Sequence, residues 1–212
     1  MSKTLNNEKL KEAFVRTGAL IFDQNDVPLS ETQWDSLESF TRQSDYEHVI
    51  GGDAGEGHSV YVSRFVNDVV EPADLLPQAS AVKEIVMSDA MMSFYQSFIG
   101  DMPLCLRRCQ ANLLKDHDFI GRHIDQHSNI DYIASVVFHF NSDYSGGDFV
   151  SQPNTAGEIK FHPEPHSIVV NRGDVCHEVE PVVAGERRTL ACFLSGEFGK
   201  SHRSRLEFEV AS

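Results

Sequence analysis

The chain has 212 residues, 41 % of them apolar and 24 % charged, with a formal net charge of −14. That length suits one domain with its own core, and the composition is that of an ordinary globular chain. The acidic balance argues against a general phosphate-backbone binder, which needs Lys and Arg to neutralise phosphates. No run of about 18 apolar residues is present, so no membrane-spanning helix is expected.

The opening MSKTLNNEKLKEAF is polar and lacks the apolar stretch of a signal peptide. The cysteines Cys105, Cys109, Cys176 and Cys192 form no CxxC pair and no zinc-finger spacing. Reduced, mostly buried thiols in a cytoplasmic protein are the expectation. Residues 6–17 read as a helix, with Leu10, Phe14 and Val15 on one stripe. Gly18 then precedes the apolar run 19–22, a short buried strand. Ser30-Glu31-Thr32-Gln33 is a capping box and predicts a second helix over about 31–43, with Trp34, Leu37 and Phe40 facing inward. The polar, glycine-rich stretch 44–57 reads as a loop, and 58–66 alternates like a strand. Residues 78–99 carry two short helices, the second capped by Asp89; its Met91, Met92, Phe94, Tyr95 and Phe98 read as core.

From residue 103 the chain becomes short β-like runs broken by turn signals: 104–114, 119–125, 132–140, 148–150, 157–162, 166–170, 175–179, 187–195 and 206–211. Ser145-Gly146-Gly147-Asp148 and Asn171-Arg172-Gly173-Asp174 are the clearest turns, with another at Ala184-Gly185. Regularly spaced strands of this kind predict a barrel or jelly roll. The expected fold class is α+β, mainly β, with the N-terminal helices packed on one sheet. The expected organisation is one domain over 1–212, with 1–102 as a helical support region and 103–212 as the jelly-roll core.

Candidate chemistry centres on His123 and Asp125. On a strand, side chains at i and i+2 share a face, so the two can point into one cavity. Alone, such a pair is more often a hydrogen-bonded pair at a strand edge. His177 changes the reading: it follows the turn at 171–174 and lies at a strand start. Two imidazoles and a carboxylate on one face of a metal form a facial triad that leaves positions open. Ten residues on, Arg187 precedes Thr189 by two, so both share a strand face. An inward Arg needs an anion, and a guanidinium suits a carboxylate bidentately.

The pattern His123-x-Asp125, Gly146-Gly147-Asp148-Phe149, then His177-Glu-Val-x-Pro-Val-x-x-Gly-Glu-Arg187-Arg-Thr189 resembles the Fe(II)/2-oxoglutarate-dependent dioxygenases, in their prolyl-hydroxylase-like branch. The resemblance spans about residues 103–195. It implies a double-stranded β-helix of cupin-like, jelly-roll type. It implies His123, Asp125 and His177 as iron ligands, and Arg187 with Thr189 as the holders of 2-oxoglutarate. The neighbouring Arg188 faces away by strand alternation. Asn112 matches an Asn near the co-substrate in the nucleic-acid-repair branch, but the Tyr that follows there is Leu114 here. Pro165-His166 also departs from the family, which often has Gly before that strand. The implied reaction is hydroxylation of an unactivated C–H bond, with O2 and 2-oxoglutarate consumed and succinate and CO2 released. Asp125 favours hydroxylation over halogenation, because its carboxylate occupies the place a halide would need.

The substrate is less legible. A short, acidic chain without an appended recognition domain favours a small molecule, such as a free amino acid or natural-product intermediate. A protein or peptide side chain is the second reading, and nucleic acid is not expected. His127 is a candidate substrate contact at the barrel mouth. One of Arg107 and Arg108 must face inward and could meet a substrate carboxylate. His139 reads as a hydrogen-bonded sheet residue, and His117, His162, His166 and His202 as solvated. A non-catalytic metal-binding jelly-roll module is the alternative of another class. A zinc hydrolase is a further one. Both leave Arg187 unexplained.

Overall fold

The computed structural model describes residues 7–52, 55–68, 72–153 and 157–196. The expected strand 206–211 and His202 lie outside them. In chain order the elements are α1 (Asn7–Thr17), β1 (Ala19–Phe22), α2 (Glu31–Arg42), β2 (Glu47–Ile50), β3 (His58–Asp68), β4 (Pro72–Asp74), α3 (Ala79–Val86), α4 (Asp89–Ile99), β5 (Cys105–Leu114), β6 (Phe119–His123), β7 (Ala134–His139), β8 (Tyr144–Gly146), β9 (Phe149–Gln152), β10 (Ile159–Phe161), β11 (Ile168–Arg172), β12 (Cys176–Val179), β13 (Val182–Gly185) and β14 (Arg187–Ser195).

Twelve strands among the described residues form one antiparallel sheet, ordered β1-β11-β7-β14-β5-β3-β6-β12-β9-β10, with β2 and β4 paired to β3. The sheet curls until nearly closed, and β13 pairs with β8 at one end. This is the double-stranded β-helix, mainly β with helices on one outer face. Bulges between Arg64 and Val66 and between Phe193 and Leu194 help the long strands bend.

The helices form because their apolar positions recur with helical period. Ser30 and Gln33 cap α2 reciprocally, with the Gln33 N–H donating to Ser30 Oγ at 3.3 Å. Trp34 and Leu37 of α2 are fully buried against the sheet, Trp34 packing edge-on to Phe138. Met91, Tyr95 and Phe98 of α4 join the same core, as their spacing predicts. Gly18, at φ +68°, donates its N–H to Phe14 O and turns α1 into β1.

Four local expectations differ. The stretch 44–57 contains a strand, β2, although its sequence is polar: the backbone of 47–50 pairs with 59–62, and its side chains stay largely exposed. Ser88, not Asp89, caps α4, because the Ser88 hydroxyl accepts from Met91 N–H while Asp89 is the first helical residue. The turn signals at 145–148 and 184–185 lie within or beside the small β8–β13 ladder. The first hundred residues are also not solely a helical layer: β1 extends the sheet beside β11, and β3 lies between β5 and β6.

Candidate active site

The inner face of the sheet is set by register. Thr189 lies opposite Asn112 on one side and His139 on the other; Ala191 lies opposite Gln110 and Val137; Phe193 lies opposite Arg108 and Ser135. β3 extends the same rows, with Val62 opposite Asn112 and Arg64 opposite Gln110. Alternate residues face inward. Arg187, Thr189, Asn112 and Arg108 therefore all line one open cleft of about 1010 Å³, its mouth included.

His177 of β12 is the direct partner of His123 at the end of β6. Asp125 is not on that strand. It opens a turn of 3-10 helix, Asp125–His127, so the shared-strand-face expectation is corrected. Convergence comes instead from the turn, which the Gln126 N–H ties to Gly173 O at 3.0 Å. Gly173 is packed against Tyr132 as well as Gln126: a Cβ there would lie 2.1 Å from Tyr132 O and 3.4 Å from Gln126 Cγ.

The three residues nevertheless meet. Their ligand-type atoms lie within 4.8 Å of one another. His123 Nε2 is 3.4 Å and His177 Nε2 is 3.7 Å from Asp125 Oδ1. Each ring uses its other nitrogen elsewhere: His123 Nδ1 is 2.8 Å from Gly121 O, and His177 Nδ1 is 3.0 Å from Val175 O. A carbonyl only accepts, so at His123 this contact puts the proton on Nδ1 and leaves the Nε2 lone pair aimed at Asp125; His177 Nδ1 also meets the Asn171 amide nitrogen, a donor, at 2.8 Å. Asp125 Oδ2 is buried with no hydrogen-bond partner. Two converging imidazoles and an unsatisfied carboxylate oxygen fit a divalent cation.

The electrostatics agree. Burial, reinforced by His123, pushes His177 down to about 4, so its imidazole is neutral near pH 7. Burial pushes Asp125 up, but His177, His123 and Ser135 outweigh it and hold the carboxyl below its ordinary value. Burial also lowers His123, and contact with Asp125 reverses the balance and leaves it raised.

At the closed end Arg187 is almost wholly buried. Burial lowers its pKa, and Tyr144 and Asp148 partly oppose that. Gly147, at φ +66°, gives Arg187 its room, since a Cβ there would lie 3.0 Å from Arg187 Cδ. Arg187 Nε, Thr189 Oγ1, the Tyr144 hydroxyl and both ring nitrogens of His139 are buried with no hydrogen-bond partner. A guanidinium set among unsatisfied polar groups is a cradle for a carboxylate.

His139 is thus not the hydrogen-bonded sheet residue that was expected. Its inward side chain stands in the row of Thr189, and burial with Arg187 nearby holds its pKa well below the ordinary value. Tyr144 also went unremarked in the sequence, where Leu114 marks a missing tyrosine. Leu114 is buried in the inner apolar cluster, while Tyr144 arrives from β8 and reaches Arg187. Period-two alternation from Ser135 and Val137 could have flagged His139; nothing local could have flagged Tyr144.

Other candidates separate clearly. Arg188 is on the opposite face and pairs with Glu186 at 3.1 Å. Asn112 lines the cleft and accepts from Gln110 Nε2 at 2.7 Å. Arg108 lines it too, whereas Arg107 is buried away from it. His127 is 54 % exposed and stands 3.7 Å from Glu56 at the rim. His58, on β3, accepts the Gly121 N–H and packs edge-on to His123. His166 is not simply solvated, because it stacks on Trp34.

Residues 109–195 match the model of the 2OG-Fe(II) oxygenase superfamily. A Burkholderia pseudomallei oxidoreductase of the 2OG-Fe(II) oxygenase family is similar over 96 % of this chain and 97 % of its own, at 26 % identity and TM-score 0.85. A Pseudomonas putida prolyl-4-hydroxylase shares the fold at 17 % identity and TM-score 0.64, over 90 % of this chain and 99 % of its own. HygX of Streptomyces hygroscopicus, solved with nickel and 2-oxoglutarate, shares it at 12 % identity and TM-score 0.64, over 90 % and 87 %. No curated protein matches the chain in sequence.

Proposed function

We propose that the chain is a 2OG-Fe(II) oxygenase, the superfamily whose model its residues 109–195 match, and that it hydroxylates an unactivated C–H bond of a small molecule. The enzyme class uses Fe(II) as its cofactor and 2-oxoglutarate and O2 as co-substrates. The observation that carries the residue roles is that one cleft holds both a three-residue ligand cluster and an interior arginine among unsatisfied polar groups.

In this reading His123, Asp125 and His177 hold the iron. Arg187 holds the distal carboxylate of 2-oxoglutarate, with Thr189, Tyr144 and His139 around it and Asn112 on the adjoining wall. The bound iron supplies the oxidising chemistry, which no side chain here can supply. The chain's own work is positional. The carbonyl of Gly121 keeps His123 in the ligating tautomer, and Val175 O and the Asn171 amide hold the His177 ring in place. Burial of Arg187 makes its hold on a carboxylate strong, because water competes poorly there. Val62, Val137 and Phe149 line the cleft and keep water from the reacting atoms.

The whole of 1–212 reads as one domain, with 103–212 as the catalytic jelly roll and the earlier helices supporting it. Among the described residues no helix is long and apolar enough to cross a membrane. All four cysteines are free thiols, which supports a reducing, cytoplasmic setting. A peptide substrate is the second reading, favoured by the open mouth of the cleft.

The test is anaerobic. Addition of Fe(II) and then 2-oxoglutarate is expected to give the weak visible absorption of iron chelated by a keto acid, followed by succinate release on admission of O2. Absence of that band, with tight zinc binding instead, would reduce the likeness to one of fold.

A further inference from the structure

Arg108, Gln110 and Asn112 occupy successive inward positions of β5, and all three line the cleft. Their side chains form one hydrogen-bonded chain. Arg108 Nε donates to Gln110 Oε1 at 2.7 Å, and Gln110 Nε2 donates to Asn112 Oδ1 at 2.7 Å. Phe193, opposite Arg108, steadies the start of the chain, with the guanidinium 5.5 Å from the centroid of its ring. Ala191, opposite Gln110, is small and leaves the glutamine room to lie along the strand.

Chemistry fixes the direction of this chain. An amide can present either its oxygen or its nitrogen, but a guanidinium can only donate. Arg108 therefore holds Gln110 with Oε1 towards it and Nε2 away. Gln110 in turn holds Asn112 with Oδ1 towards it and Nδ2 away. Asn112 thus ends the chain as a donor, with its N–H groups left for the cleft. Gln110 and Asn112 are only 8 % and 5 % exposed. Turning the Asn112 amide over would set two donors against each other where little water can relieve them.

Register places that donor beside the co-substrate end of the cleft. Asn112 lies opposite Thr189, and Arg187 lies opposite Leu114, one inward row further on. One row is two residues, about 7 Å at 3.3 Å per residue, close to the reach of a five-carbon diacid.

Resting on the oxygenase reading above, we propose that Gln110 is a positioning residue for 2-oxoglutarate. It holds the Asn112 amide so that Nδ2–H, and not Oδ1, meets an oxygen of the acid whose far carboxylate Arg187 holds. A reversed amide would set its carbonyl oxygen against a carboxylate or keto oxygen, acceptor against acceptor. Gln110 itself touches only its neighbours on β5, and its effect on the ligand passes through Asn112.

The test is 2-oxoglutarate binding without turnover, by calorimetry on protein holding Mn(II) under nitrogen, in a double-variant cycle. Gln110→Glu still accepts from Arg108 but turns a second oxygen to Asn112, so the Asn112 amide reverses. It is expected to weaken 2-oxoglutarate about tenfold or more, the scale of one hydrogen bond to a charged group lost. Gln110→Met removes both bonds without adding charge and is expected to weaken it by a smaller factor. Asn112→Leu is expected to match Gln110→Glu. In the Asn112→Leu background neither Gln110 change is expected to weaken binding further, because the amide through which Gln110 acts is gone. A loss caused by the added charge of the glutamate, or by general loosening of β5, would persist in that background. Should Gln110→Glu fail to fold, Gln110→Met decides by the same comparison. Losses that multiply in the double variants, or wild-type affinity in a folded Gln110 variant or in Asn112→Leu, would each overturn the proposal. Failure of the oxygenase reading shows separately, as a missing Fe(II)/2-oxoglutarate band in the wild-type protein.

Discussion

His177 and His123 are direct cross-strand partners, with ring centroids 4.2 Å apart, and each ring turns its Nε2 towards the same Asp125 oxygen. The sheet register therefore sets the metal geometry, and the two rings are held before any metal arrives. His177→Ala and Asp125→Ala are each expected to abolish the Fe(II)/2-oxoglutarate band while circular dichroism stays that of the wild type. Full hydroxylation activity in Asp125→Ala would sink the ligand assignment.

Gly121 supports that geometry from behind. Its carbonyl receives His123 Nδ1–H, its N–H donates to His58, and a Cβ would lie 2.0 Å from Gly57 O. The obstacle is backbone, so a side chain can be admitted only if β6 moves away from the β2–β3 hairpin. Gly121→Ala is expected to weaken metal binding about 10-fold or more, the scale seen when partners that orient a ligand are lost, with a fall in melting temperature. Wild-type metal affinity would show that the Gly121 contacts do not orient His123.

Arg187 and Arg188 are adjacent and face opposite ways. Arg187→Ala is expected to raise the 2-oxoglutarate concentration needed for the visible band by two orders of magnitude or more, since a buried charge-assisted pair is worth about 2–5 kcal/mol, with metal binding retained. Arg188→Ala is expected to leave that requirement unchanged. The reverse pattern, read from the same titrations, would transfer the role.

His139 gives a pH signature. Its pKa is well below 6.5 in the folded protein, through burial first and Arg187 second. The unfolded chain takes up a proton below about pH 6.5 that the native state refuses, so this group's contribution is present above that pH and falls as pH drops. The slope is about 1.4 kcal/mol per pH unit for each such group. His177, pushed to about 4, acts in the same direction, and His123, raised, acts in the opposite one. Comparison with His139→Gln isolates one group: between pH 6.5 and 5 the variant is expected to lose less stability than the wild type in urea titrations. Equal slopes would mean that His139 is protonated in the native state.

Local chemistry in the sequence determined much of this protein. Helical spacing and the Ser30–Gln33 capping box defined α2, and apolar periodicity placed Met91, Tyr95 and Phe98 in the core. The strand-and-turn rhythm after residue 103 indicated the jelly roll, and the spacing of His123, Asp125, His177 and Arg187 indicated a candidate site, whose three ligand-type residues lie together. These features were legible because each depends on residues near one another in the chain, or on a residue type whose burial demands a partner. Tertiary structure decided the rest. Asp125 converges on the histidines through a turn docked on Gly173, not through a shared strand face. Tyr144 and His139 join Arg187 only because β8, β7 and β14 meet at one end of the barrel. The polar 47–50 stretch becomes a strand because β3 offers an edge, and Arg108 rather than Arg107 reaches the cleft because register assigns it to the inner row. Each of these outcomes turns on which distant strand is the neighbour, and a strand's own residues do not encode that.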